Sequence, residues 1–180
     1  MSDMPKTAPI TGNPITGNLL AGKRGLIMGV ANERSIAWGI AAAAAAQGAE
    51  LAFSYQMEGF GKRLRPLADS IGANKLIECD VAGAGAIDGC FETLAQSWPT
   101  IDFVVHALAF SDKDELKGNY MDTSRQNFIN TMMISAFSFT ETANAARKMM
   151  PNGGALLTLS YIGAQRIAPN YNVMGVAKAA

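Results

Sequence analysis

The chain has 180 residues, 49% of them apolar and 17% charged, a balance that supports one medium globular domain and excludes a disordered polymer. Fifteen basic and fifteen acidic residues cancel, so nothing points to nucleic acid or an anionic membrane as partner. Cys79 and Cys90 are the only cysteines and His106 the only histidine, too few ligands for a zinc site.

No metal is therefore expected, and the two thiols are read as reduced, which suits a cytoplasmic protein. The first residues show no basic region followed by an apolar run, the mark of a secretory signal. The most apolar stretch, Ile36–Ala46, has eleven residues, short of the ~20 that a membrane span needs. Residues 1–20 read as a flexible tail, with PITGN at 9–13 and again at 14–18; its Pro, Gly, Asn and Thr favour turns. Residues 21–180 read as one domain.

In chain order, the apolar runs GLIMGV (25–30), ELAFSY (50–55), KLIEC (75–79), DFVVHAL (102–108) and GALLTLS (154–160) predict strands. Helical patterns fall between them at 35–47, 60–71, 84–97 and 122–149, with another beginning near 170. Near-continuous apolar strands predict a parallel sheet buried on both faces. Alternation with helices predicts right-handed crossovers and an α/β, Rossmann-like, doubly wound fold of strand order 3-2-1-4-5. The helix at 122–149 carries Phe128, Ile129, Met132, Met133, Ile134, Phe137 and Phe139, more apolar surface than one sheet-facing stripe uses. Deep packing within the domain and a subunit interface both account for it.

Strand one runs into GVANERSIAWG. Ser35 suits a helix N-cap, and the helix start behind it can hold a pyrophosphate through free N–H groups and its dipole. Gly29 would let the turn approach a cofactor, and Gly39 would let the helix approach the sheet. The alanines at 41–46 continue that close packing and are also simply good helix formers. Strand two ends at neutral Gln56, with Lys62, Arg63 and Arg65 only later on a helix, so the reading leans to NAD over NADP. Asp80, followed by Val81, either bonds an adenine amino group or is an ordinary turn residue.

Pro169 predicts a helix start near 170. Tyr171 and Lys178 then share a face, two turns or ~10 Å apart. Helical side chains lean toward the N-terminus, so Lys178 is expected to reach back to Tyr171 and lower its pKa. The pair would serve an oxygen that becomes negative during reaction. It lies after the fifth strand, at the carboxyl edge where such sheets bind ligands.

On these blocks the chain resembles the enoyl-[acyl-carrier-protein] reductases of the short-chain dehydrogenase/reductase superfamily. The likeness runs through GKRGLIMGVANERSIAWGIA, GAELAFSYQ, CDV, FVVHALAFSDKDELKGNY and ALLTLSYIGAQRIAPNYNVMGVAKA, covering about residues 20–180. The last block is the most specific. Other superfamily members use Tyr-x-x-x-Lys with an upstream Ser; here Met174 stands at that Tyr position and Tyr161 at that Ser position. The tyrosine has moved up one turn to Tyr171.

The resemblance implies NADH-dependent reduction of trans-2-enoyl thioesters on acyl carrier protein, in fatty acid biosynthesis. It implies that Tyr171 bonds the thioester oxygen, that Lys178 holds the nicotinamide ribose and supports Tyr171, and that Tyr161 lines the acyl site. Gly29, Ser35, Ile36, Gln56, Asp80, Val81 and Leu108 would contact the cofactor, with Ser111 beside the substrate. Full-length relatives form tetramers through the helices at 122–149 and from 170 onward. Relatives commonly have Gly where this chain has Ala109, whose methyl would narrow the nicotinamide pocket. They also continue past the position of Ala180 with further strands and a lid, so strand five is expected to stand as an apolar edge with the last strands missing. A carbonyl reductase on the same fold and a non-catalytic NAD-binding module stand as alternatives.

Overall fold

A computed structural model describes residues 17–180. Five parallel strands, β1 (Arg24–Met28), β2 (Glu50–Tyr55), β3 (Lys75–Glu78), β4 (Phe103–His106) and β5 (Ala155–Thr158), form one sheet in the order β3-β2-β1-β4-β5. The expected order is the observed one.

β1 is central because both of its faces are apolar. Leu26, Ile27 and Met28 are all fully buried. Leu26 and Met28 pack with Phe91, Leu94, Trp98 and Met149 on one face. Ile27 packs with Phe53, Leu64 and Val105 on the other. This alternation is the period-2 geometry of a strand, and each large apolar side chain so buried stabilises by about 1.5–3 kcal/mol. The first helix, α1 (Ile36–Ala46), meets the sheet through Ala37, Ala41 and Ala44. Their small side chains let the helix axis lie close to the strands. Gly39 departs from expectation: it is exposed on α1, and a Cβ there would meet open space. The close approach belongs to the alanines.

The remaining helices are α2 (Glu58–Ser70), α3 (Ala86–Ala95), α4 (Arg125–Met132), α5 (Ser138–Ala146) and α6 (Asn172–Ala179). The long helix expected at 122–149 is interrupted: α4 and α5 are joined by a π-helical turn, Met133–Phe137, and a 3-10 turn at Arg147–Met149 follows. Its apolar residues are not deeply packed either. Phe128, Ile129, Met133 and Phe137 are 39–46% exposed.

The expected strands overrun the observed ones at their carboxyl ends, by two residues in β1, β4 and β5. There the chain leaves the ladder to form the loops described next. Every residue of β5 is exposed, Leu156 and Leu157 included, which is the expected apolar edge. The first PITGN copy lies outside the described residues, as does most of the second. Gly17 N–H and Leu20 N–H donate to the carbonyls of Ala46 and Gln47, so this end of the expected tail is tied to the end of α1. Among the described residues no helix is long and apolar enough to cross a membrane.

Candidate active site

The carboxyl ends of β1 to β4 open into a cavity of about 350 Å³. Gly29 leaves β1 with φ +100°, and a Cβ on it would fall on the carbonyl of Ala107. Two strand ends thus touch backbone to backbone, which only glycine permits. The following loop winds around Ser35, whose hydroxyl accepts from Ala31 N–H at 3.0 Å and Asn32 N–H at 3.1 Å. Ser35 occupies the N-cap position of α1, but its hydroxyl does not cap the helix. It braces the loop instead.

Gly29, Gln56, Asp80, Val81 and Leu108 line this cavity together. Gln56 Nε2 donates to Asp80 Oδ2 at 3.3 Å, and Asp80 Oδ1 accepts from Ala82 N–H at 3.1 Å. Asp80 therefore holds both its own turn and the side chain at the end of β2. Phe60, Phe110 and Ile134 supply an apolar wall that sequence reasoning misses. The π turn explains part of it: Ser135, within that turn, donates to the Phe110 carbonyl at 3.0 Å and accepts from Phe110 N–H at 2.9 Å. An irregular helix here seats the loop that follows β4.

A second cavity of about 380 Å³ shares Ala107, Leu108 and Ala109 with the first. Ile36, Tyr161, Tyr171 and Lys178 line it. The Tyr161 and Tyr171 rings lie 4.8 Å apart between centroids, tilted by 59°. Gly163 makes room for both, since a Cβ there would come within 2.6 Å of the Tyr171 ring.

Lys178 does not behave as the helix spacing predicts. Its Nζ donates to the Leu159 carbonyl at 2.9 Å, while Ser160 Oγ donates to the Lys178 carbonyl at 3.0 Å. The ammonium is thus held at the end of β5. The expected lowering of the Tyr171 pKa is likewise corrected: burial, and then the neighbouring Tyr161, push it above the ordinary tyrosine value. Burial pushes the Lys178 pKa down. The phenol is the favoured form, a hydroxyl able to donate a hydrogen bond.

Two expected site residues stand back from the cavities. Ser35 and Ser111 line neither one. The Ser111 hydroxyl turns inward, accepting from Thr131 Oγ1 at 2.9 Å and from Asn127 Nδ2 at 3.2 Å. It anchors the start of the loop after β4.

His106 is a buried residue that the sequence flags only as a missing metal ligand. Its Nε2 lies 2.8 Å from Ser138 Oγ, and that hydroxyl donates to the Ile134 carbonyl at 2.7 Å. Ser138 must therefore accept from Nε2–H, leaving Nδ1 to accept from Thr158 Oγ1 at 3.3 Å. This pattern holds the imidazole neutral, and burial pushes its pKa down to about 4. The unfolded chain takes up this proton near pH 6.5, the folded chain only near 4. Stability should thus fall as pH drops through that window, by up to about 1.4 kcal/mol per unit, and level off below it. Asp102 and Glu115, held below the ordinary carboxylate range by their hydrogen bonds, lose their contributions at lower pH. Urea midpoints between pH 7 and 4.5 check this; in His106→Asn they should vary less with pH.

The profile of a protein family described as "Enoyl-(Acyl carrier protein) reductase" matches residues 29–180. An enoyl-[acyl-carrier-protein] reductase [NADH] from Rhizobium meliloti is 59% identical over 162 residues, 90% of this chain and 60% of the relative. One from Rickettsia bellii is 51% identical over 166 residues, 92% of this chain and 63% of the relative. Among solved structures, the Anaplasma phagocytophilum reductase in complex with NAD superposes with a TM-score of 0.89 at 56% identity, covering 91% of this chain and 63% of that one. The Bacillus cereus reductase, with NADP+ and an indole naphthyridinone, gives 0.87 at 48% identity, over 90% of this chain and 64% of that one. The chain spans about three fifths of the length of the relatives it matches.

Proposed function

The chain belongs to the enoyl-(acyl carrier protein) reductase family, and from that premise we propose that it carries the cofactor site and the reacting side chains of an NADH-dependent reductase of trans-2-enoyl-acyl-carrier-protein thioesters, acting in fatty acid biosynthesis. One observation carries this reading. The cavity lined by Tyr161, Tyr171 and Lys178 shares its wall with the first cavity, which ends at Asp80. A long two-ended ligand would thus span from the adenine side to the tyrosines.

The residues present fit a dinucleotide. Gly29 lines the first cavity, and its lack of a side chain lets the two strand ends meet at its wall. Gln56 and Asp80 would hold the adenosine end, with Val81 beside the adenine. Ile36, Leu108 and Lys178 would flank the nicotinamide end, and Ser35 would act through the loop it braces. When bound, NADH would supply the hydride to one carbon of the double bond, and a proton from solvent would complete the reduction at the other. Tyr171 then donates its hydroxyl hydrogen bond to the thioester oxygen as negative charge builds there. Its raised pKa favours stabilisation with the proton kept on the tyrosine. Tyr161 packs beside it and would bound the acyl group, and Lys178 would turn its ammonium to the ribose hydroxyls. Ser111 would shape the substrate side through the loop it anchors.

The acyl carrier protein is the proposed donor of substrate. The half-exposed Phe128, Ile129, Met133 and Phe137, with Val176 on α6, support assembly into a homotetramer. The free thiols Cys79 and Cys90 suit the cytoplasm.

The test follows NADH at 340 nm with a trans-2-enoyl thioester, for this chain and for the chain extended to the next in-frame stop codon. Oxidation by the extended protein supports the reading. NADH binding by both without oxidation by either leaves only a dinucleotide-binding module. Cofactor choice has its own check. A phosphate on the adenosine ribose would approach the Asp80 carboxylate and find no cation at Gln56. Gln56→Arg should therefore shift the NADPH/NADH ratio of kcat/KM upward by about tenfold, the effect of one charge-assisted bond.

A further inference from the structure

Tyr171 is flanked by the two non-glycine residues with positive φ among the described residues, Asn170 at 57° and Asn172 at 26°. Side chains rarely adopt this left-handed conformation, and Asn tolerates it best of the larger residues. Two such residues around one tyrosine need a compensating interaction.

Asn172 has one. Its Nδ2 lies 3.2 Å from the Glu115 carbonyl, 3.3 Å from that of Lys117 and 3.5 Å from that of Gly118. A carboxamide nitrogen has two hydrogens, so it shares them among these acceptors. The loop is irregular, and its carbonyls have no ladder partners of the kind a strand provides. Its other moorings lie on α4: the Glu115 carboxylate accepts from Ser124 N–H and Oγ–H, both at 2.8 Å, and Asp112 N–H donates to Asn127 Oδ1 at 2.9 Å. Asn172 is the tie between this loop and α6. The Tyr171 side chain makes no capping bond to its helix. Its direction therefore follows the backbone at 170–172 and the ring packing against Tyr161.

We propose that Asn172 is a positioning residue for Tyr171: its carboxamide, bonded to the 115–118 loop, holds the left-handed backbone that aims the tyrosine into the second cavity. Loop and tyrosine are then one unit, and whatever loosens the loop also loosens the reacting hydroxyl. This rests on the function proposed above for its kinetic consequence, but not for its structural one.

Asn172→Gly is the informative variant, because glycine keeps positive φ open while the side chain and its carboxamide are removed. Asn172→Asp replaces the donor with an anion facing the same carbonyls. The protein carries four tyrosines, so fluorotyrosine labelling gives a small set of resonances that single Tyr→Phe variants assign. In both variants the Tyr171 resonance should move while that of Tyr55 stays, and tryptic cleavage after exposed Lys117 should quicken about fivefold or more. In the active reductase, kcat should fall about tenfold with KM for NADH within about twofold, the pattern of a misplaced reacting group. A parent-like Tyr171 resonance and cleavage rate in Asn172→Gly overturns the proposal, whatever the rate. If the unsubstituted protein does not reduce the thioester, the proposed function fails, and the resonance and cleavage still decide whether Asn172 positions Tyr171.

Discussion

Tyr171→Phe is expected to lower kcat for enoyl thioester reduction by about 10²–10³-fold, the usual cost of removing one donor to a developing oxyanion. KM for NADH should hardly change, because the ring and its contact with Tyr161 survive the substitution. The loss should appear equally in kcat and kcat/KM for the thioester, the mark of an interaction made in the transition state. The pH profile sharpens the claim. Burial and Tyr161 raise the Tyr171 pKa above the ordinary tyrosine value, so the phenol stays protonated through the neutral range. Tyr171 should impose no change in kcat between about pH 6 and 9. Had Lys178 pulled the tyrosine toward phenolate, a limb dependent on Tyr171 would lie nearer neutrality. Steady-state rates across that range, for the parent and for Tyr171→Phe, distinguish the two. A Tyr171→Phe variant that keeps most of its kcat sinks the role proposed for this residue.

The difference between Lys178 as expected and as found shows where the sequence stops being legible. Seven-residue spacing on a helix states that two side chains share a face, and Tyr171, at the N-cap of α6, and Lys178, within it, do both line the second cavity. It does not state which acceptor lies nearest the ammonium. That acceptor, the Leu159 carbonyl, comes from the end of β5, nineteen residues earlier. The pairing exists only once the sheet has formed. His106 is a similar case, with partners 32 and 52 residues away. The resemblance likewise implies Ser111 at the substrate, whereas its hydroxyl is taken by residues of α4. The sheet was readable because its signal is local: each strand is a short apolar run, and alternation with helices leaves few topologies. The π turn was not, because Met132, Met133 and Ile134 are uniformly apolar and carry no mark of an extra residue in the turn.

Gly29 and Gly39 are read alike from the sequence, as two close approaches of one motif, and the structure separates them into opposite predictions. At Gly29 a methyl group would meet the Ala107 carbonyl, and the backbone has φ +100°. Ala107 cannot yield easily, since its own N–H donates to the Met28 carbonyl at 3.0 Å. Gly29→Ala must therefore strain the backbone or part β1 from β4 at the end where the cavity opens. A loss of about 2–4 kcal/mol is expected from strain and clash together, with NADH binding weakened beyond the loss of folded protein. Gly39 sits exposed within α1 with open space around it. Gly39→Ala should stabilise by about 0.5–1 kcal/mol through helix propensity alone, leaving NADH affinity unchanged. Urea midpoints and NADH titrations on both variants provide the comparison. If Gly39→Ala is the more damaging of the two, the contact of the two strand ends is not what makes glycine necessary in the first turn.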